Sequence, residues 1–483
     1  MEEKDVIKRR GMSDQPASSP SADLARLAQS SEESVAMVEK EMQTHSLQQP
    51  VLKKTRFFLP RKVLLLLIGI GIGVIIIFGV VSYILATRAT SPVTLTYWGT
   101  TIDAKSMEPV IADFHKQYPY ITVTYSQEDL VGYQDRLIAR IPAGAGPDIY
   151  EYHVSWLPMF KHMLLPLNSI ITPSDIKANY YKVVSDDLVH DNMVYGIPLG
   201  IDTLSLFVNE DILRASGLLA PTTWKQFSDT AYIVTVKDTN KKIKIAGAAL
   251  GTFSNIIYAP DIISALLVQN GSDPLTIGQH IQQTIDTLTF YTSFVHMDTS
   301  VWDDTLDVSK TAFAKGTLGM YLGYIRDIPD IKGMNPRLNF AVYQLPHLPG
   351  RHITTASYFA EGISSQSHYS NAAKLFINYL NKKDTQQKLY ESEVRNQSIP
   401  LAPVQPALAK IASGDNYLSI VGVQAADAVS SIFVGETGDT SGIDAQMNSY
   451  LQNIVAAQIN NQVDADNVST VTQGISTVLS KYK

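Results

Sequence analysis

Between Val63 and Thr87 the chain runs for twenty-five residues without a charged side chain, and Lys53, Lys54, Arg56, Arg61 and Lys62 precede that run with no acid among them. A bilayer core of about 30 Å is crossed by about 20 apolar helical residues, and a basic flank stays on the cytoplasmic side. The pattern predicts a transmembrane helix over 63–87, a cytoplasmic leader over 1–62 and an extracellular domain over 88–483, hence a single-pass protein of the cell membrane. A buried core helix of this length would carry a polar face. A cleaved signal peptide needs a short basic start and a small-x-small exit, whereas this leader is long and the exit reads Ala86-Thr87-Arg88-Ala89. An uncleaved signal-anchor is the reading that fits.

Charge separates the two sides. The leader holds 11 Lys/Arg against 9 Asp/Glu while the whole chain is at −7, so the acidic excess lies beyond the membrane segment and argues against nucleic acid as the outside partner. Residues 11–50 are rich in Ser, Gln, Glu and Ala and bury too little surface to offset chain entropy, so a largely disordered leader is expected. The 396 residues from Arg88 exceed what one core organises, and two lobes are expected. Cysteine is absent, which removes disulfides, thiolate metal sites and a cysteine nucleophile.

From Val93 the pattern alternates strand and helix. Val93 to Trp98 has period two, Val110, Ile111, Phe114 and Tyr118 mark a helical face that Pro119 ends, and Ile121 to Tyr125 is again strand-like. Tyr133, Leu137, Ile138 and Ile141 give the next helix, and Asp148 to Tyr152 the third strand. This is βαβ syntax, so the fold class is α/β, with mostly parallel sheets flanked by helices. Ligands of such sheets sit beyond the carboxyl ends of the strands, which places Trp98 and Tyr152 at the mouth.

Gly146-Pro-Asp-Ile-Tyr-Glu-Tyr152 with Leu164 to Leu167, then Tyr195-Gly-Ile-Pro-Leu-Gly-Ile-Asp202 running on to Asn209, resembles the family 1 extracellular solute-binding proteins of ABC importers, the maltodextrin-binding type. Pro221 to Phe227, Ala312 to Tyr324, Gly362 to Ser365 and Ala372 to Leu380 continue the likeness in order, over about residues 92–483. The resemblance implies a two-lobed periplasmic-binding-protein-like fold with lobe 1 over about 92–200 and 346–402 and lobe 2 over about 206–340 and 405–483. Asp202 to Val208 is the hinge candidate, with Asn209 capping the helix that follows. Further crossings are implied near Ala341 to Leu345 and Leu401 to Val404.

Sugars present hydroxyl rims and flat C–H faces, so a sugar cleft needs aromatic platforms beside carboxylates and amides. Trp98, Tyr152, Ser155 and Asp202 follow strand ends or enter the hinge, and Tyr258, Tyr324 and Tyr358 match ligand-contacting regions of the family. These seven are the expected ligand-binding residues. Where the maltodextrin type has an Asp-Arg pair this chain reads Ser155-Trp156, and around the usual second-lobe tryptophan it reads Tyr324-Ile-Arg326, which puts maltodextrin itself in doubt.

No His-Glu-x-x-His, Gly-x-Ser-x-Gly or phosphate-cradling Gly-Lys-Ser/Thr loop occurs, and no acid spacing selects a glycosidase pair. Neither an enzyme, a cofactor nor a metal is expected. The resemblance implies a small-molecule solute, best an oligosaccharide, delivered to ABC permease and ATPase subunits. The other reading keeps the binding fold as a surface sensory or adhesion module without transport.

Overall fold

The computed structural model describes Pro60, Val63, residues 69–79, and 92–482 apart from Met297, Asp298, Gln397, Ser398, Glu436, Asp439 and Thr440. Residues 1–87 and 88–483 form separate units. In the first unit residues 69–79 are helical. Among the described residues no helix is long and apolar enough to cross a membrane. Most of the expected 63–87 span and nearly all of the 1–62 leader lie outside the described residues.

The second unit contains, in chain order, strands β1 Val93–Gly99, β2 Ile121–Gln127, β3 Ile149–His153, β4 Val189–His190, β5 Met193–Val194, β6 Ile197–Pro198, β7 Asp202–Thr203, β8 Ser205–Asn209, β9 Val236–Lys237, β10 Ile243–Ala248, β11 Leu318–Gly323, β12 Phe340–Tyr343, β13 Ala356–Ser357 and β14 Phe359–Ile363. One sheet has the order β2-β1-β3-β14-β6 and a second the order β12-β8-β11-β10-β9, so the unit has two lobes. In the first sheet β1 pairs β2 and β3 in parallel, and β14 returns antiparallel to β3. The second sheet is mixed, since β10 and β11 are parallel while β8 is antiparallel to both β11 and β12.

Position in the sheet explains what the sequence pattern could show. On β1 Leu95 and Tyr97 are buried while Thr94 and Thr96 face solvent, the alternation of a half-covered strand. β3, β8, β11 and β14 are buried at every position, as strands covered on both faces are. Asp103 accepts the Ser106 N–H at 3.0 Å and starts helix Ala104–Gln117, which fixes the turn leaving β1.

Chain segments pass between the lobes at β7, at β13 and at residues 401–402. β7 leaves the first lobe and pairs with β13, after which β8 enters the second sheet. Asn209 then accepts the N–H groups of Asp211 and Ile212 and starts helix Glu210–Ala215, as its side-chain chemistry predicts. The third segment meets the first at Ile201 and Ala402, where Gly200 is needed for close approach: a Cβ there would stand 2.2 Å from that of Leu401. The crossing expected near Ala341 to Leu345 lies further along the chain. Residues 340–343 are an edge strand of the second sheet, and the return passes through β13. Residues 346–353 stay with the second lobe because Gln269 binds them, its amide donating to the carbonyls of Pro346 and Ile353 and its oxygen accepting the Leu348 N–H.

Candidate functional site

A cleft of about 710 Å³ opens between the lobes. Its first wall is the turn after β1, with Thr100, Thr101 and Asp103, joined by Gln127 at the end of β2 and Leu130 beyond it; its second carries Tyr258, Lys310, Arg326, Asp327, Asp330 and Lys332. Phe359, Glu393, Ile399 and Leu401 complete the lining from the crossing segments and helix Lys383–Arg395. The site thus lies beyond the carboxyl ends of β1 and β2, where an open α/β sheet presents its ligands.

Each wall is held from behind. Glu151 on β3 accepts the hydroxyl of Thr100 at 2.7 Å and the N–H of Thr101 at 3.0 Å, together with the Thr100 N–H and the Thr101 hydroxyl. In the second lobe Asp327 accepts from the hydroxyls of Tyr258 at 2.9 Å and Tyr321 at 2.7 Å, and Lys310 bridges Asp327 and Asp330. Burial pushes the Glu393 carboxyl up to about 8, with the nearby Asp103 charge adding to the effect and the Leu401 N–H opposing it. Among the described residues no cluster of three or more His, Asp and Glu could hold a metal ion.

The expected ligand residues divide. Tyr258 lines the cleft, although its ring is largely covered and its hydroxyl belongs to Asp327. Asp202 and Tyr358 lie at a small cavity beneath it, shared with Thr101, Glu151, Arg326 and Phe359. Asp202 is buried, accepts the Arg326 N–H at 3.2 Å, and has its carboxyl raised by burial against the pull of the arginine. Tyr358 donates to Asp187, whose carboxyl burial raises to about 6.

The others sit away from the lining. Tyr152 is fully buried with its ring stacked on Phe160 at 6.4 Å, and Tyr324 is fully buried and donates to Asp261 at 2.8 Å. Ser155 donates to Asp444 at 2.8 Å, and Trp156 joins it there through its indole N–H at 3.0 Å. Trp98 is half-buried, with the Arg140 guanidinium 5.5 Å from its ring centroid. The aromatic platforms expected from sequence are therefore largely committed to packing, because aromatic strand ends also close the cores beneath them. Thr100, Thr101, Gln127, Lys310 and Glu393 were missed. Helix-cap and strand-end signals at Asp103 and Gln127 could have pointed to the first wall; nothing local marks Lys310 or Glu393.

Residues 110–416 match the family described as bacterial extracellular solute-binding protein. An uncharacterised ABC transporter extracellular-binding protein of Pyrococcus horikoshii is 21% identical over 378 residues, covering 71% of this chain and 81% of its own. Among solved structures, an ABC transporter solute-binding protein of Thermotoga lettingae bound with α-D-tagatose aligns with TM-score 0.62 and 21% identity, over 80% of this chain and 99% of that one. The cyclic α-maltosyl-1,6-maltose binding protein of Arthrobacter globiformis aligns with TM-score 0.65 and 16% identity, over 81% and 100%.

Proposed function

The chain belongs to the bacterial extracellular solute-binding proteins, and from that premise we propose that residues 88–483 capture a neutral saccharide between their lobes and deliver it to the permease and ATPase subunits of an ABC importer. The observation that carries the saccharide reading is the charge balance of the cleft. With Glu393 held neutral below about pH 8, the lining presents Asp103, Asp327 and Asp330 against Lys310, Arg326 and Lys332. A lining of balanced charge with threonine hydroxyls and an amide suits an uncharged ligand rich in hydroxyls, while the partly exposed Leu130, Ile399 and Leu401 supply apolar surface for its C–H faces. The structural neighbours that bind α-D-tagatose and cyclic α-maltosyl-1,6-maltose support the same class. The lobes close on the ligand about the β7 and β13 crossing, by its differential affinity for the closed state.

The 63–87 segment holds the protein at the membrane, with 1–62 on the cytoplasmic side. Protease added to intact cells should then remove the extracellular domain and leave the leader protected. A soluble form beginning near Ala89, with no membrane-bound full-length chain, would overturn the anchor.

Thermal-shift measurement on the full-length protein in detergent tests the ligand. A saccharide that binds only the native state raises the melting temperature. Maltose, maltotetraose, D-tagatose and mannotriose are the first probes, and silence toward neutral saccharides alongside a response to charged solutes would replace this reading.

A further inference from the structure

β3 and β14 run antiparallel in the first sheet, and their register sets Glu151 directly opposite Glu361. Both are at most 2% exposed. Side chains directly opposed on such a pair have Cβ atoms about 4.5–5.5 Å apart, and two ionised carboxylates at that range repel strongly in a buried site. The groups facing them from neighbouring elements are the phenols Tyr97 on β1, Tyr125 on β2 and Tyr133 on helix Tyr133–Arg140. Arg326 reaches the small cavity that Glu151 also lines, but it binds Asp202 and the Ser357 carbonyl.

The donors are distributed unequally. Glu151 takes both N–H groups and both hydroxyls of Thr100 and Thr101. Glu361 has a hydrogen bond with Tyr97, and its Oε2 has no hydrogen-bond partner among the described residues. Burial, then the Glu151 charge, push the Glu361 carboxyl well above the usual range. One carboxylate is therefore gripped by four donors, while burial holds its neighbour toward the neutral form.

We propose that Glu151 is the positioning residue of this cleft wall: by drawing the hydroxyl hydrogens of Thr100 and Thr101 inward, it turns their oxygen lone pairs toward the ligand and selects a solute that donates hydrogen bonds there. Glu361 is the neutral spacer opposite it, which leaves Glu151 as the acceptor beneath the turn. This deepens, and rests on, the assignment of the interlobe cleft as a saccharide site. A threonine hydroxyl that has given its hydrogen to a carboxylate can only accept from a second partner. A sugar hydroxyl satisfies that wall; a fluorine in its place does not.

The test compares full-length parent, E151Q and E361Q. Calorimetric titration with maltose, maltotetraose, D-tagatose and mannotriose should show E151Q at least tenfold weaker than the parent toward any probe that binds, and E361Q within twofold. Amide hydrogen exchange on the unliganded proteins should show faster exchange at Thr100 and Thr101 in E151Q only. Equal affinity in E151Q despite a lowered melting temperature would make Glu151 merely structural and overturn the proposal. Equal weakening in E151Q and E361Q would overturn the neutral spacer. If the parent binds none of the probes, the saccharide reading falls, and unchanged exchange at Thr100 and Thr101 in E151Q would still overturn the positioning role by itself.

Discussion

Arg326 of the second lobe reaches Asp202 at the first crossing, its Nε 3.5 Å from the carboxylate, while its Nη2 donates to the Ser357 carbonyl on the other crossing strand at 3.1 Å. One guanidinium thus ties β7 and β13 to the lobe that must move with them. Asp202 is consequently engaged before any ligand arrives. Removing either partner has unequal consequences, because an uncompensated buried charge costs more than a lost neutral contact. Arg326→Ala should lose about 1–3 kcal/mol, below the full buried-pair range since the arginine side chain is 25% exposed. Asp202→Asn keeps the shape and should lose less. Chemical denaturation of both variants checks the order, and a larger loss in Asp202→Asn would reverse the account.

Gln424 is a second fastening of the crossings. Its amide donates to Thr203 Oγ1 and Ser205 Oγ, each at 2.9 Å, and its oxygen accepts the Leu345 N–H at 2.7 Å. Gln424→Ala leaves the buried Leu345 N–H without that acceptor, a loss of about 1–3 kcal/mol. Denaturant titration should show that loss, whereas Gln424→Glu retains an acceptor but buries a charge and should not rescue it.

Trp98→Ala separates stacking from packing. The indole is half-buried beneath Arg140 and outside the cleft lining. Folding stability should fall by about 1–3 kcal/mol, less than the 3–5 of a fully buried tryptophan, with saccharide affinity within twofold of the parent. A stable variant with tenfold weaker binding would restore Trp98 as a sugar platform.

What was legible in the sequence follows from how local each signal is. β1 and β2 declare themselves through period-two alternation, and the helix between them through the apolar face of Val110, Ile111 and Phe114 that ends before Pro119. The hinge entry at Asp202 and the cap at Asn209 were equally local. By contrast Glu151 and Glu361 meet across 210 residues of chain, and an acid on a strand ordinarily reads as a solvent-facing position. The same blindness hid Gln269 and Gln424, which resemble surface glutamines until their four hydrogen-bonding sites are counted against backbone and side-chain groups far away in the chain. Aromatic residues are ambiguous in the other direction. Tyr152 and Tyr324 have the composition of a sugar platform, but strand periodicity cannot tell the rim of a cleft from the core one layer below it.

Glu393 makes the pH dependence of this fold measurable. Its carboxyl is raised to about 8 in the folded protein by burial, against about 4.5 in the unfolded chain. Between those values the native state keeps a proton that the unfolded state has released, so the unfolded state binds fewer protons and stability falls as pH rises. The contribution is fully present below about pH 4.5 and is lost by about pH 8. Other buried acids, Asp187 near 6 and Asp261 near 7, tilt the parent profile in the same direction, so the variant-minus-parent difference isolates Glu393. Glu393→Gln retains an oxygen to accept the Leu401 N–H and cannot ionise. It should match the parent at pH 4 and exceed it by about 1–4 kcal/mol at pH 8, read from denaturant midpoints across that range. Parallel profiles would mean that Glu393 is already ionised at neutral pH; the cleft would then carry one more negative charge than its cations balance, and the neutral-saccharide assignment would have to give way to a cationic ligand.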